Sequence, residues 1–429
     1  MSFTQGLSGL NAASRDLDVI GNNVANAATV GFKGSKAQFG DVFAAALSGA
    51  GSSTIGIGVK LETVAQQFTQ GNISMTNNNL DMAVNGPGFF ILQGGTGGDV
   101  YTRNGQFQMD KDGYIVSSAG HKLQGYPAGS TSVGGAGTGS LQISTADIPA
   151  NPSASITAVL NLDSTSPVIA SAFLPTDSTT FTNSTSTTAY DSEGNPLTTT
   201  MYFQKTAQNK WEVYATIADK AGNMIFPNPA PVVPVPGWAG SAADLGLLNF
   251  NQSGTLTPAP VLAAASFVPT SFVNALPAAV PATQSLAFDF SGATQFAGPF
   301  AVSTLSTDGN AQGTLGGFNV SADGTIVGRY SNGKTQNLGT VALATFKNMN
   351  GLQPLGDNEW VETSASGTSI KGVPGQGGKG LLQTSATEDS NVDLTAELVN
   401  MITAQRNYQA NAQTIKVMDA VMQTLINMR

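Results

Sequence analysis

One histidine is the only side chain in this sequence that could act as a base near neutral pH without a large pKa shift. His121 is the single histidine among 429 residues, and the chain contains no cysteine. It follows a predicted strand in the segment Ala-Gly-His-Lys, and no nucleophile motif accompanies it. Thiolate zinc sites and clusters of histidine ligands are therefore impossible within one chain. We interpret His121 as a histidine at a surface turn, and we expect no catalytic residue.

Two acidic segments resemble calcium-binding loops. Residues 110–113 read Asp-Lys-Asp-Gly, and residues 191–195 read Asp-Ser-Glu-Gly-Asn. Neither segment has the ligand spacing over about twelve residues, ending in Glu, of the common calcium loop. Asp, Asn and Gly favour turns through their own backbone preferences. Both segments therefore predict hairpin turns, and we expect no metal site.

A glycine-rich segment is similar to a phosphate-binding loop. Residues 375–380 read Gly-Gln-Gly-Gly-Lys-Gly, and Gly380 occupies the position at which a P-loop carries Ser or Thr. Because no buried strand is predicted before this segment, we interpret it as a flexible joint before the last helix and expect no cofactor. Paired carboxylates that hydrolyse glycosides stay open, because such pairs meet only in space. An enzyme is the least favoured interpretation.

Composition limits the partners. Only 10% of the residues are charged, against about a quarter in an ordinary soluble protein. A net charge of -9 offers no basic surface to nucleic acid. No apolar run reaches the roughly 18 residues of a membrane-spanning helix, so we expect no membrane insertion. Residues 1–5 lack the basic and apolar pattern of a signal peptide, and we expect any export to proceed without signal cleavage.

The elements that must position any site begin with a helix at each end of the chain. Ser2 and Gln5 form a capping-box pattern, which predicts a helix that begins at Ser2. Ser390 and Asp393 are candidate caps for a last helix that runs almost to the end of the chain. Both helices carry apolar residues at steps of three and four, the spacing of a coiled-coil seam. We predict that these stripes mediate assembly through Phe3, Leu10, Leu17, Ile20, Val24, Leu394, Leu398, Met401, Tyr408, Ile415, Met422 and Leu425.

These stripes leave two interpretations open. The helices could form an ordinary intramolecular hairpin over a core, or they could pack among several neighbours. Further apolar residues lie off both stripes, among them Leu7, Val19, Val399 and Ile402. Because a helix that is apolar on more than one face suits burial among several neighbours, the second interpretation is favoured.

The fold class expected for the whole chain is mainly β with terminal α-helices. Turn pairs at 112–113 (Asp-Gly) and 332–333 (Asn-Gly) predict hairpins, as do the alternating runs 197–203 and 211–217. Composition shifts toward Thr, Ser and Pro in the middle of the chain, which favours a domain inserted into another. We therefore expect a nested, multidomain chain with a terminal-helix coiled-coil domain (1–30 plus 386–429), an extended connector (31–75), a discontinuous middle β-domain (76–145 plus 287–385), and an inserted outer domain like a β-barrel or sandwich (146–286).

Several segments resemble bacterial flagellar rod and hook subunits. The N-terminal ones read Ser-Gly-Leu-Asn-Ala-Ala (8–13), Gly-Asn-Asn-Val-Ala-Asn (21–26) and Gly-Phe-Lys-Gly-Ser (31–35). Segments 390–394, 397–402 and 405–411 are similar to the shared C-terminus of that axial family. The length of the chain and the segments 323–333 and 358–360 resemble the hook members of the family.

The resemblance implies a structural subunit of a hollow helical polymer. In that family the terminal helices line a central export channel, a split β-domain forms a middle shell and an inserted domain forms the outer surface. It implies a flexible tube, or universal joint, that carries motor torque from rod to filament at the cell exterior. The implied partners are further copies of the chain, the distal rod protein, the hook-cap protein, the hook-filament junction protein and the flagellar type III export apparatus.

Two alternatives stay open. A distal rod subunit of the same family would form straight, rigid tubes. An extracellular β-rich adhesin or glycan-binding protein could share the composition, but it would have no use for two apolar terminal helices.

Overall fold

The computed structural model describes residues 2–42, 56–95, 97–129, 137–220, 224–225, 232–234, 241–257, 265–267 and 284–427. Its long helices are α1 (Ser2–Ala25) and α2 (Leu394–Asn427), at the two ends of the chain. The helix α2 begins at the predicted cap, because Asp393 Oδ1 accepts hydrogen bonds from the backbone N of Thr395 at 2.8 Å and of Ala396 at 3.2 Å. In the part of the chain that the structure describes, no helix is long and apolar enough to cross a membrane.

The rest of the described chain is mainly β. The first strands are β1 (Ser35–Val42), β2 (Gly58–Gln66), β3 (Ile73–Met75), β4 (Met82–Asn85), β5 (Phe89–Gln93), β6 (Asp99–Thr102), β7 (Phe107–Met109), β8 (Ile115–Ser117), β9 (Lys122–Pro127) and β10 (Gly139–Ser140). The middle strands are β11 (Ser155–Asp163), β12 (Asn183–Tyr190), β13 (Pro196–Ala207), β14 (Lys210–Ala218), β15 (Met224–Ile225), β16 (Val232–Pro234), β17 (Ser241–Asn249), β18 (Ala265–Phe267), β19 (Gln284–Asp289), β20 (Thr294–Phe296) and β21 (Ala301–Thr307). The last strands are β22 (Leu315–Val320), β23 (Thr325–Tyr330), β24 (Thr335–Val341), β25 (Leu343–Thr345), β26 (Gln353–Gly356), β27 (Glu359–Val361), β28 (Ile370–Gly372), β29 (Leu381–Thr384) and β30 (Ala386–Glu388).

The chain divides into two compact units. The first consists of Met1–Thr145, Gly317–Gly328 and Thr335–Arg429, and the second of Ala146–Gly316 and Arg329–Lys334. The second unit continues past the boundary at residue 286 that the sequence predicted. The reason is strand pairing, since β19, β20 and β21 all pair with β11.

The second unit is built from two open sheets. One has the order β18-β19-β11-β20, with β21 also on β11, and the other has the order β12-β13-β14-β17-β16, with β15 also on β14. Inward residues alternate along β11 and β14, and they pack into one hydrophobic core that includes Leu160, Phe203 and Trp211. Among the described strands the sheets do not close into a barrel, so of the two predicted forms the barrel is not the one observed.

Most of a sheet of 13 strands lies in the first unit, and its central order is β24-β9-β5-β6-β27-β26. Four consecutive residues of β5 are buried, Phe89 to Leu92, as expected for a strand covered on both faces. The Phe89 ring meets the rings of Phe68, Phe346 and Trp360 edge to face, with centroids 5.7 to 5.9 Å apart. This aromatic cluster packs against the sheet and includes Phe68, which follows β2.

The turns agree only in part with the predicted ones. The Asp-Gly turn at 112–113 links β7 and β8 as expected, with Gly113 at φ 82°. At the Asn-Gly pair between β23 and β24, only Gly333 has positive φ. The sequence analysis missed a turn with two positive values between β26 and β27, at Asp357 (φ 51°) and Asn358 (φ 58°).

The predicted extended connector contains paired strands. β1 and β2 form an antiparallel hairpin, and β3 pairs with β30 just before α2. Residues 43–55, between β1 and β2, lie outside the described residues. Backbone hydrogen bonding therefore ties this segment to both ends of the chain.

Candidate assembly site

The two terminal helices pack against each other as an antiparallel pair. Close approach is possible because α1 carries glycine where the helices touch. A Cβ on Gly6 would lie 3.2 Å from Ile415 Cγ1, and one on Gly9 would lie 2.7 Å from Asn411 Oδ1. At the other end, Asn23 Nδ2 donates to Glu397 Oε1 at 3.2 Å.

The contact stripe of α1 is made mostly of small and polar residues. The positions that are buried or face α2 are Gly6, Gly9, Ala13, Asp16, Ile20 and Asn23. On α2 the least exposed positions are Glu397, Met401, Ala404, Asn411, Ala412, Ile415 and Met418. Both sets follow steps of three and four residues, apart from Ala412 and one step of seven from Ala404 to Asn411, but they differ from the predicted apolar stripes. At alternate steps of α1, Gly9, Asp16 and Asn23 take the places predicted for Leu10, Leu17 and Val24.

Most of the predicted assembly residues are therefore outside the contact between α1 and α2. Phe3, Leu394, Leu398, Tyr408 and Met422 are exposed. Half-buried positions are Leu10, Leu17, Val24, Met401 and Ile415, and Ile20 is buried. The side chain of Leu425 lies outside the described residues. Within one chain, small and polar residues therefore make much of the contact, together with Ile20, Met401 and Ile415. The role of the twelve residues in assembly between copies stays a prediction.

Both terminal helices carry large apolar side chains that are exposed in the single chain. The large apolar side chains with more than two fifths of their area exposed include Phe3, Leu7, Leu394, Leu398, Val399, Ile402, Val417, Val421, Met422 and Ile426. We call this set the exposed apolar face. Large apolar side chains that are exposed to water mark an interaction site in a soluble protein when they cluster on its surface.

The β1–β2 hairpin leans on α1. Ser8 Oγ accepts a hydrogen bond from the backbone N of Val59 at 3.3 Å. The Asn23 side chain holds the start of β1, because Nδ2 donates to the carbonyl O of Ser35 and Oδ1 accepts from its N, both at 2.8 Å. This hairpin covers one side of α1 and leaves the exposed apolar face open.

A polar cavity lies between the helices near the start of β1. Its volume is about 500 Å³, and its lining includes Asp16, Asn23, Glu397, Asn400 and Asn407. Burial raises the pKa of Asp16 above its ordinary value; the nearby Glu397 carboxylate raises it further, and Lys36 opposes the change. The surroundings of Asp16 in the helix pair therefore disfavour its charged form.

A buried charge cluster lies at the base of the helix pair and consists of Lys33, Arg103 and Glu388. Lys33 Nζ contacts Glu388 Oε1 at 2.6 Å, and Arg103 Nη1 contacts Glu388 Oε2 at 3.1 Å. The side chains of Lys33 and Glu388 are fully buried, and that of Arg103 is 4% exposed. Burial lowers the pKa of Lys33 and of Arg103, and Glu388 opposes this in both cases.

The sequence analysis did not find this cluster. Lys33 belongs to a motif that was singled out, but its partner Glu388 is 355 residues away. The one sequence signal for Lys33 was the rarity of charged residues. Because only 10% of the residues are charged, a charged residue within a motif is unusual.

The residues first considered for chemistry have structural roles. His121 lies at the turn after β8 with its side chain 27% exposed, and its Nδ1 is 2.9 Å from Glu359 Oε1. Asp110 Oδ1 accepts from the backbone N of Asp112 and of Tyr114, and both acidic segments form turns of this kind. In the ranges that the structure describes, no group of three or more acidic, histidine or cysteine side chains could hold a metal ion.

The glycine-rich segment is a tight turn between β28 and β29. Its Gly380 N donates to the carbonyl O of Pro87 at 2.7 Å, and Gly375 N donates to the carbonyl O of Gly380 at 3.0 Å. The predicted joint before the last helix is therefore wrong in position, because β29 and β30 separate this turn from α2.

Four family models match successive parts of the chain. They are described as "Flagella basal body rod protein" (residues 5–33), "Flagellar hook protein FlgE/F/G D1 domain" (83–160), "Flagellar basal body protein FlaE D2 domain" (161–310) and "Flagellar basal body rod FlgEFG protein C-terminal" (383–428). Both segments of the helix pair thus fall in matched regions.

Full-length relatives carry one description. The chain is 39% identical to "Flagellar hook protein FlgE" of Escherichia coli and, at the same identity, to that of Salmonella typhimurium, covering 100% of this chain and of each relative. Identity to the protein of the same description from Treponema pallidum is 31%, over 100% of this chain and 99% of that one.

A solved structure shows a similar fold. The crystal structure of Helicobacter pylori flagellar hook protein FlgE2 covers 72% of this chain and 99% of its own length, with a TM-score of 0.52 and 13% sequence identity.

Proposed function

Because the chain belongs to the family of flagellar hook proteins and is a structural subunit of the flagellum, we propose that its exposed apolar face joins copies of it into the hook. The observation that carries this proposal is the exposure of large apolar side chains along α2, such as Val399 at 59% and Met422 at 60%. Helices with this much exposed apolar surface need a further partner. A head-to-tail contact between identical copies that does not close produces a helical fibre.

The layers of that fibre follow from the order of the chain. We propose that the terminal helices of many copies form a coiled-coil inner wall around a channel, with the discontinuous β-domain outside it and the inserted domain outermost. The division of the chain into two compact units supports this nesting. Torque then passes through the inner wall, while Ser-, Thr- and Asn-rich outer surfaces slide on wet, exchangeable contacts.

A charge on the exposed apolar face tests the proposal. We expect Leu398→Asp to abolish tube formation, because Leu398 is 49% exposed in the single chain and a carboxylate buried between copies costs several kcal/mol. The matched control is Gln413→Glu, which adds the same charge at another exposed position of α2. Electron microscopy scores the tubes, and circular dichroism scores the fold.

Two results would contradict the proposal: tubes formed by the Leu398 variant, or loss of its β-structure in solution. The second would mean that Leu398 stabilises the single chain. The shape of wild-type tubes separates the two members of the family considered above, since curved tubes indicate a hook and straight ones a distal rod.

We also propose the neighbours of the polymer. They are the distal rod protein at one end, the hook-cap protein during growth and the hook-filament junction protein at the other end. We propose that the flagellar type III export apparatus delivers the subunit to the cell exterior without signal cleavage. Mass spectrometry of exported subunits tests this, because a subunit shortened at its N-terminus would contradict it.

A further inference from the structure

The buried charge cluster lies where the segments that lead into and out of the helices cross. Lys33 follows α1, Glu388 ends β30 just before α2, and Arg103 follows β6 of the large sheet. All three belong to the first unit. The cluster therefore connects both helix bases to the sheet through side chains.

The two carboxylate oxygens of Glu388 bind different partners, one toward the helices and one toward the sheet. On the helix side, Oε1 accepts from Lys33 Nζ at 2.6 Å and from the backbone N of Gly71 at 2.8 Å. On the sheet side, Oε2 accepts from Arg103 Nη1 at 3.1 Å. Arg103 is itself held by strand β4 and the turn after it, because it donates to the carbonyl O of Val84 at 3.1 Å and of Gly86 at 2.7 Å.

Further hydrogen bonds connect the backbone segments around the cluster. Gly31 N donates to the carbonyl O of Glu388 at 2.7 Å. Asn391 Oδ1 accepts from the backbone N of Gly34 at 2.8 Å, and its Nδ2 donates to the carbonyl O of Gln67 at 2.7 Å. These bonds join the chain that leaves α1, the end of β2 and the chain that enters α2.

We propose that Glu388 is a positioning residue for assembly, which fixes the direction in which the helix pair leaves the sheet by holding Lys33 with one oxygen and Arg103 with the other. The proposal rests on the proposed function, since this direction matters to a polymer built through the helices. The cost of a buried charge without a partner explains why the arrangement is specific: the carboxylate cannot leave either cation without leaving a charge buried and unpaired. The angle between the helix pair and the sheet is then fixed, and the tube must bend at other places.

Two distances within the full-length chain test the proposal. The chain has no cysteine, so introduced cysteines can carry spin labels without other changes. Lys111→Cys with Gln413→Cys measures the distance from sheet to helix pair, and Asn11→Cys with Gln413→Cys measures the distance between the helices. All three positions are exposed.

The variants separate the two sides of the carboxylate. Glu388→Gln keeps the shape of the side chain and removes its charge. Arg103→Met removes only the hydrogen bonds on the sheet side and leaves the oppositely charged pair of Lys33 and Glu388. We expect both to lose the single narrow sheet-to-helix distance and to keep the distance between the helices. Asp99→Asn is the matched control, because it removes a charge from the partly exposed pair of Asp99 and Lys371 on the same sheet, and it should keep both distances.

Unchanged sheet-to-helix distances in both variants would overturn the proposal. Loss of the helix-to-helix distance as well would also overturn it, since the cluster would then support the fold in general. If Glu388→Gln fails to fold, Arg103→Met alone decides. These measurements use single subunits, so they can fail while Leu398→Asp still abolishes tubes, and the reverse also holds.

Discussion

Gly31 shows how one residue without a Cβ lets the base of the helix pair close. Its φ is 73°, in the left-handed region that favours glycine. A Cβ there would lie 2.6 Å from the backbone N of Asn104 and 2.8 Å from the carbonyl carbon of Arg103. These are backbone atoms of the segment after β6, and they cannot move aside as the end of a flexible side chain can.

We expect Gly31→Ala to lower the free energy of unfolding of the first unit by about 1–3 kcal/mol, because both the backbone conformation and the contact are unfavourable. Urea denaturation followed by tryptophan fluorescence measures the change, since one of the three tryptophans, Trp360, is buried in that unit.

The matched control is Gly21→Ala in α1, where a Cβ would meet nothing within 4 Å. That change should stabilise the helix by about 0.5–1 kcal/mol, the usual difference between alanine and glycine. Equal effects at both positions would contradict the argument from close contact.

Asp16 gives a pH dependence to the helix pair. Its folded-state pKa lies above 3.8 because of burial first and Glu397 second, with Lys36 opposing. The folded chain therefore holds the proton more tightly than the unfolded chain does. The resulting stabilisation is complete below pH 3.8 and is lost as the pH rises through the folded-state pKa.

We expect Asp16→Asn to be more stable than the wild type at neutral pH and to lose this advantage as the pH falls toward the ordinary pKa of aspartate. Circular dichroism of the helices during urea denaturation at several pH values measures it. Asp18→Asn is the control, because the Asp18 side chain is 67% exposed; a pH-independent advantage of the Asp16 variant would contradict the prediction.

At the scale of elements, the turn between β26 and β27 connects the sheet to the base of α1. Both of its residues, Asp357 and Asn358, have positive φ, as a two-residue hairpin turn requires. Asn358 has a second role, because its Nδ2 donates to the carbonyl O of Val30 at 2.9 Å. The two residues of one turn should therefore respond differently to glycine.

We expect Asp357→Gly to keep or raise the thermal stability, since glycine adopts this conformation without strain. Asn358→Gly should cost about 1 kcal/mol, because the carbonyl of Val30 loses its partner. Calorimetry of the two variants distinguishes these outcomes, and equal melting temperatures would show that the bond to Val30 contributes nothing.

Short sequence patterns predicted the helices and many of the strands, but they could not predict contacts between residues far apart in the chain. The start of α2 was readable because Asp393 caps a helix within three residues of itself. The stripe of α1 was displaced by one position at alternate steps, because Gly9, Asp16 and Asn23 do not register in a count of apolar residues. No local pattern could pair Lys33 with Glu388, and the boundary near residue 286 failed because β19 pairs with the distant β11.

At the scale of the whole molecule, we propose that the chain ends carry assembly and that the β-units fold without them. The cores of the two β-units include Trp360 and Trp211, both buried far along the chain from the helices. The exposed apolar face, by contrast, contributes little to the single subunit, because its side chains remain in water.

We expect a chain without residues 1–25 and 394–429 to keep its β-structure and to form no tubes. Far-ultraviolet circular dichroism and buried tryptophan fluorescence report the fold, and sedimentation reports the polymer. Tubes formed by this shortened chain would refute the role of the helices.

The pairing of the first helix with the last sets an order of events in time. A chain emerges with its N-terminus first, whether from a ribosome or from a narrow channel, and α2 is its final element. Since Asn23 and Glu397 are 374 residues apart, α1 waits for its partner through the synthesis of every strand. Contacts that close such long loops form late. If the exposed apolar face joins copies as proposed, it is completed only when α2 has formed, and polymerisation is delayed until then.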